Sequence, residues 1–88
     1  MYPYSTNFAI NPHTYDDIKA AAAPHGVGEV WATMLWEMTW EIMASEPYNP
    51  NIYDGTGGNN VALNIVTEGL RLQPCSPGFI DGRDAIIA

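Results

Sequence analysis

Residues 24–45 read Pro24-His25-Gly26-Val27-Gly28-Glu29-Val30-Trp31-Ala32-Thr33-Met34-Leu35-Trp36-Glu37-Met38-Thr39-Trp40-Glu41-Ile42-Met43-Ala44-Ser45, and this stretch decides the fold. It holds all three tryptophans, every methionine except Met1, and one of the two histidines. From Glu29 onward it is rich in strong helix formers and has no proline or glycine before Pro47, which predicts a helix of about four turns. Glu29, Thr33, Glu37 and Glu41 recur every fourth residue and so form one narrow polar stripe. Val30, Trp31, Met34, Leu35, Met38 and Ile42 flank the stripe on one side, and Trp36, Trp40 and Met43 cover much of the rest. A helix that is apolar around most of its girth is usually a buried helix. A chain of 88 residues has room for one modest core. That is too little to enclose three indoles on different faces, so the expectation is a helix running through a larger protein of which this chain is a part.

Residues 1–13 read as a loop-like lead-in. Pro3, Asn7, Asn11 and Pro12 punctuate the short apolar patch Phe8-Ala9-Ile10, and Tyr2 and Tyr4 bracket Pro3 in a segment suited to lying extended over a surface. Thr14-Tyr15-Asp16-Asp17 predicts a helix start, with Thr14 as N-cap and two carboxylates at the positive end of the dipole, continuing to about Ala22 before Pro24. The glycines of Pro24-His25-Gly26-Val27-Gly28 allow a close backbone approach, a positive φ, or a plain turn between two helices. Residues 46–59, rich in asparagine and glycine, predict a surface loop. Asn59 or Asn60 is the expected cap of a second helix with Val61, Leu63, Ile65, Val66, Leu70 and Leu72 on its apolar side, ending at Gln73 before Pro74. Ser76 as N-cap and Pro77 as first residue predict a last helix over about 78–88 that buries Phe79, Ile80, Ile86 and Ile87. Arg83 is expected to pair with Asp81 or Asp84. Two boundaries suggest truncation: Met1 precedes what reads as a mid-domain loop, and the last helix still reads as continuing at Ala88. Together these elements predict an all-α fold, a small helical bundle with a long central helix and two or three shorter ones, in a single partial domain spanning residues 1–88.

Composition excludes several functions. Ten acidic residues against three basic ones give a net charge of -7, the wrong sign for nucleic acid or an anionic membrane surface. No apolar run approaches the roughly 20 residues of a membrane-spanning helix. The first residues lack the basic and apolar segments of a secretion signal. Cys75 is the single cysteine, so it forms no disulfide within the chain; it is either a buried thiol or the partner of a cysteine elsewhere in a larger parent.

Candidate chemistry is sparse. The glycines of residues 55–58 lack the Lys-Ser/Thr of a phosphate loop, and Asp54, Asn59 and Asn60 lack the alternating carboxylates and closing glutamate of a calcium loop. A catalytic zinc site needs three protein ligands; no His-Glu-x-x-His is present, and Glu29, four residues after His25, makes only a pair with it. Cys75 has no histidine near it in sequence. His13, beside Pro12, reads as an ordinary surface or packing residue. His25 stands at the entrance of the long helix, where an imidazole can donate a hydrogen bond to an oxyanion forming on a substrate. On residue type alone, capping or packing of the helix entry is its commoner use.

His25-Gly26-Val27-Gly28-Glu29-Val30-Trp31-Ala32, then Gly57-Gly58-Asn59-Asn60, Leu72-Gln73-Pro74-Cys75 and Arg83-Asp84-Ala85-Ile86 closely resemble the C-terminal part of fungalysin-type zinc metallopeptidases. Tyr2-Pro3-Tyr4-Ser5-Thr6-Asn7 and Asn11-Pro12-His13-Thr14-Tyr15 also look like segments of that family. The resemblance implies a thermolysin-like, secreted endopeptidase. Its zinc is held by His-Glu-x-x-His and a later glutamate, in a cleft between an N-terminal lobe and a mainly helical C-terminal lobe. On this resemblance the present chain is most of the helical lobe, with the zinc ligands and general base upstream of Met1. It then binds no zinc and is inactive by itself. His25 alone carries over as a catalytic residue, stabilising the oxyanion, and Asp16 or Asp17 is the candidate to orient it. The implied partners are the rest of the parent catalytic domain and a peptide substrate, and the implied location is extracellular. The alternative is a stand-alone helical module with no catalysis, whose exposed apolar surface is hidden by self-association into a homo-oligomer.

Overall fold

The computed structural model describes residues 2–88. Its elements are, in order, a 3-10 turn at Tyr15–Lys19, helix α1 at His25–Ser45, helix α2 at Gly58–Leu72 and helix α3 at Phe79–Ile87. The fold is all-α, with no strand among the described residues. The chain divides into two compact units, one ending at Glu41 and the other spanning Ile42–Ala88.

In the first unit, α1 begins one turn earlier than its composition predicts. The N–H groups of Gly26 and Val27 donate to the Ala22 carbonyl at 2.7 and 3.2 Å, and that of Gly28 donates to Pro24 at 3.0 Å. Helical bonding is therefore already running through both glycines. Neither takes a positive φ. Gly26 lies over Ala21, and the space beside Gly28 is open. The preceding helix is correspondingly shorter than expected, a 3-10 turn that stops at Lys19 instead of about Ala22. Proline disfavours helical geometry in the residue before it, and the Ala22 carbonyl is already taken by α1.

The polar stripe of α1 is covered at its N-terminal end. Thr33 is 1% exposed. Its hydroxyl donates to the Glu29 carbonyl and accepts from Asn11 Nδ2 at 3.2 Å, and the Tyr2 N–H donates to Glu29 Oε1 at 2.9 Å. The lead-in segment thus lies on the stripe and satisfies its polar groups there. Meanwhile Trp36 and Trp40 are 38% and 50% exposed. They contact each other edge-to-face at 5.9 Å, with Tyr4 at 6.4 Å from Trp36. Within α1 only Val30 and Thr33 are fully buried.

In the second unit, α2 and α3 pack through small residues. Gly69, Ala62, Gly82 and Ala85 are buried, whereas Leu63, Leu70, Leu72, Ile80 and Ile87, expected in the core, are exposed. The reason is close approach at small residues: Gly69 lets Ile86 of α3 lie against the α2 backbone, where a Cβ would stand 2.8 Å from Ile86 Cγ1. Neither Asn59 nor Asn60 caps α2. Gly57, with φ of +89°, is the N-cap, and both asparagines sit in the first turn, bracing the loop before it. Asn59 exchanges two 2.9 Å bonds with the Asn49 backbone. Asn60 Nδ2 donates to the carbonyls of Asn51 and Thr56. Ser76 does not cap α3 either; it adopts φ of +53° in the turn. Gly78 is the N-cap, its N–H held by the Asp81 carboxylate at 2.9 Å. With Asp81 so occupied, Arg83 pairs with Asp84. Cys75 is exposed, not a buried thiol.

The start of α2 is the tightest point of this unit. A Cβ on Gly58 would stand 2.6 Å from Met43 Cα, and one on Gly57 would stand 2.9 Å from the Pro47 carbonyl. Backbone cannot move aside as a side chain can, so Gly57→Ala and Gly58→Ala are each expected to destabilise the chain by about 1–3 kcal/mol. Gly28→Ala, in open space within a helix, is expected to stabilise by about 0.5–1 kcal/mol. Denaturant midpoints of the three variants check the contrast, and a loss at Gly28 equal to that at Gly58 contradicts it.

Candidate functional site

His25 is the first residue of α1 and is exposed. Among the described residues no hydrogen bond involves its ring. The neighbouring N–H groups of Gly26, Val27 and Gly28 are already spent on Ala22 and Pro24, so they are not bare donors. What the position presents to solvent is the imidazole itself.

The carboxylates expected near His25 are engaged elsewhere. Asp16 pairs with Lys19, in an exposed ion pair of little energetic weight. Asp17 Oδ2 accepts the Thr14 N–H at 2.8 Å and lies 3.4 Å from His13 Nδ1. Glu29 Oε2 lies 2.8 Å from His13 Nε2. Neither Asp16 nor Asp17 therefore orients His25, and Glu29 does not pair with it.

His13, read from the sequence as ordinary, is the better-organised histidine. Its side chain is 15% exposed and that of Glu29 is 13% exposed. The Tyr2 ring meets it edge-on at 4.9 Å, and its own N–H donates to Asn11 Oδ1. Tyr2, Pro12, His13, Asp17, Ala20 and Ala21 line a shallow cavity of about 270 Å³. The four-residue spacing of His13 and Asp17 was a readable signal of half of this arrangement; nothing local announced Glu29, sixteen residues away. Glu29 is held below the ordinary glutamate range, chiefly by the His13 hydrogen bond and then by the Tyr2 N–H. Asp17 is likewise held low, first by the Thr14 N–H.

These residues do not make a metal centre. Among the described residues no three His, Cys, Asp or Glu side chains converge in a way that holds an ion, and both nitrogens of His13 face carboxylates. No helix is long and apolar enough to cross a membrane among the described residues.

Comparison with known proteins makes the assignment: the profile of the fungalysin metallopeptidase (M36) family matches residues 1–88, and the chain belongs to that family. It is 41% identical over 92 residues to extracellular metalloproteinase 2 of Arthroderma gypseum. It is 42% identical to the protein of the same name from Arthroderma otae, and 45% identical to extracellular metalloproteinase 10 of Coccidioides posadasii. Each alignment covers 98% of this chain and 15% of the relative. The chain thus spans about a seventh of the length of the curated relatives it matches.

The lowered carboxylates fix an acid limb of stability. A carboxylate whose folded pKa lies below its unfolded value stabilises above the unfolded value, here 4.5 for Glu29 and 3.8 for Asp17, and loses that contribution as pH falls through the folded one. Stability of the first unit should therefore fall as pH drops below about 4.5, and Glu29→Gln should flatten that fall. Thermal melts of both proteins across this range check it; parallel curves would count against the His13–Glu29 contact.

Proposed function

We propose that this chain works as part of the catalytic domain of an extracellular zinc endopeptidase, and that His25 stabilises the oxyanion formed when a peptide carbonyl is attacked. The observation that carries this reading is the exposed, carboxylate-free ring of His25 at the head of α1, in a chain matched along its whole length by one metallopeptidase family. An imidazole N–H aimed at the carbonyl oxygen gains strength as negative charge develops there, and that differential binding is what lowers a barrier. Among the described residues no group fits a zinc ion, so its ligands and the general base are assigned to other sequence in the longer enzyme, and no step through the metal is assigned to this chain.

The exposed indoles of Trp36 and Trp40 support the same reading, since large exposed apolar surfaces mark places that another part of a protein covers. A homo-oligomer would bury the same surfaces. The alignment of 98% of this chain with one short section of much longer proteins favours a lobe over a self-associating module.

In the full-length enzyme that carries this sequence, His25→Ala should lower kcat by about two to three powers of ten with little change in zinc content, the usual cost of losing one oxyanion donor. Unaltered kcat would remove His25 from the mechanism. The purified 88-residue chain should neither retain zinc through dialysis nor cleave casein; stoichiometric zinc with proteolysis would overturn the assignment of the metal ligands to other sequence.

A further inference from the structure

The proposed chemistry leaves the His13 cluster without a task. His13 Nε2 lies 2.8 Å from Glu29 Oε2, and Nδ1 lies 3.4 Å from Asp17 Oδ2. A neutral imidazole carries one N–H and turns a lone pair toward one of these carboxylates; only the imidazolium donates to both. The two carboxylates are held in place independently, Glu29 by the Tyr2 N–H at 2.9 Å and Asp17 by the Thr14 N–H at 2.8 Å. The His13–Glu29 contact is largely withdrawn from water, where a charge-assisted hydrogen bond is stronger than at an open surface. Among the described residues, the titratable groups facing the ring are Asp17 from the 3-10 turn, Glu29 from α1 and Tyr2 from the lead-in.

We propose that His13 is a protonation-dependent clasp: as imidazolium it joins Glu29 and Asp17 and fastens residues 2–13 along the first turns of α1, and loss of its proton loosens that segment. Outside this cluster the lead-in also meets α1 through the Asn11–Thr33 hydrogen bond and the Tyr4–Trp36 ring contact. Most of its remaining hydrogen bonds are local, such as those around Asn7. The clasp also opens on the acid side, where the carboxylates take up protons. This inference does not rest on the catalytic role of His25.

Hydrogen exchange read by mass spectrometry on the full-length protein that carries this sequence tests it, with rates corrected for the intrinsic pH dependence. Peptides within residues 2–13 should lose protection about tenfold between about pH 5.5 and about pH 8, the range in which histidine titrates, while peptides of α2 stay unchanged. His13→Gln should give low protection in residues 2–13 at both pH values. Glu29→Gln, which keeps an acceptor but removes the charge, should shrink the pH effect without unfolding α1. Equal protection of the wild-type segment at both pH values overturns the proposal. So does a pH effect that survives in His13→Gln, or one that spreads equally to α2. Because the readout is exchange and not proteolysis, a failed clasp and an inactive role for His25 are told apart.

Discussion

The first unit depends on one requirement: the polar stripe of α1 has to find polar partners. Glu29 and Thr33 begin the polar stripe of a helix that is apolar around most of its girth, and the lead-in segment answers them with the Tyr2 N–H, the His13 ring and the Asn11 amide. Buried polar groups are costly unless hydrogen-bonded. Once the lead-in carries those partners, its most stable place is along the stripe. Farther along α1 the cover is thinner: Tyr4 of the lead-in meets Trp36, yet Trp36 and Trp40 stay exposed.

The second unit is governed by backbone proximity instead. Gly57 and Gly58 admit the chain where a side chain would meet backbone atoms, and Gly69 lets α3 approach α2. Asparagines then do the work that a hydrophobic core does elsewhere, tying the loop before α2 to the first turn of that helix. Large aliphatic side chains are left exposed, Leu63, Leu70 and Ile87 among them. Both units thus leave apolar side chains exposed, in keeping with a segment that corresponds to 15% of its relatives' length.

The two histidines divide the unit's chemistry. His13 has both ring nitrogens committed to carboxylates and serves the architecture. His25 has neither nitrogen committed among the described residues, and stands exposed at the head of α1. A group meant to meet a transient charge gains by having no permanent partner, because a hydrogen bond already satisfied in the ground state contributes nothing extra when charge develops. That contrast, and not the identity of the residue, separates a structural imidazole from a candidate catalytic one.

Much of this protein was legible in its sequence. The helices, the loop between α1 and α2, the proline and glycine punctuation and the family blocks around His25 all depend on local composition or on short motifs, and these survive any arrangement in space. The caps were read less well. Asn59, Asn60 and Ser76 are good N-cap types, yet glycines cap both helices, because the asparagines bond more favourably to the loop and Asp81 holds the Gly78 N–H. His13 reads from the sequence as an ordinary surface or packing residue, since its partner Glu29 lies sixteen residues away and no periodicity encodes that meeting. Sequence by itself determined which segments coil and which family the chain resembles, because backbone preference and motif are properties of neighbours. Only the tertiary structure decided which carboxylate holds which histidine and which apolar faces stay open, because those outcomes come from segments competing for the same partners in space.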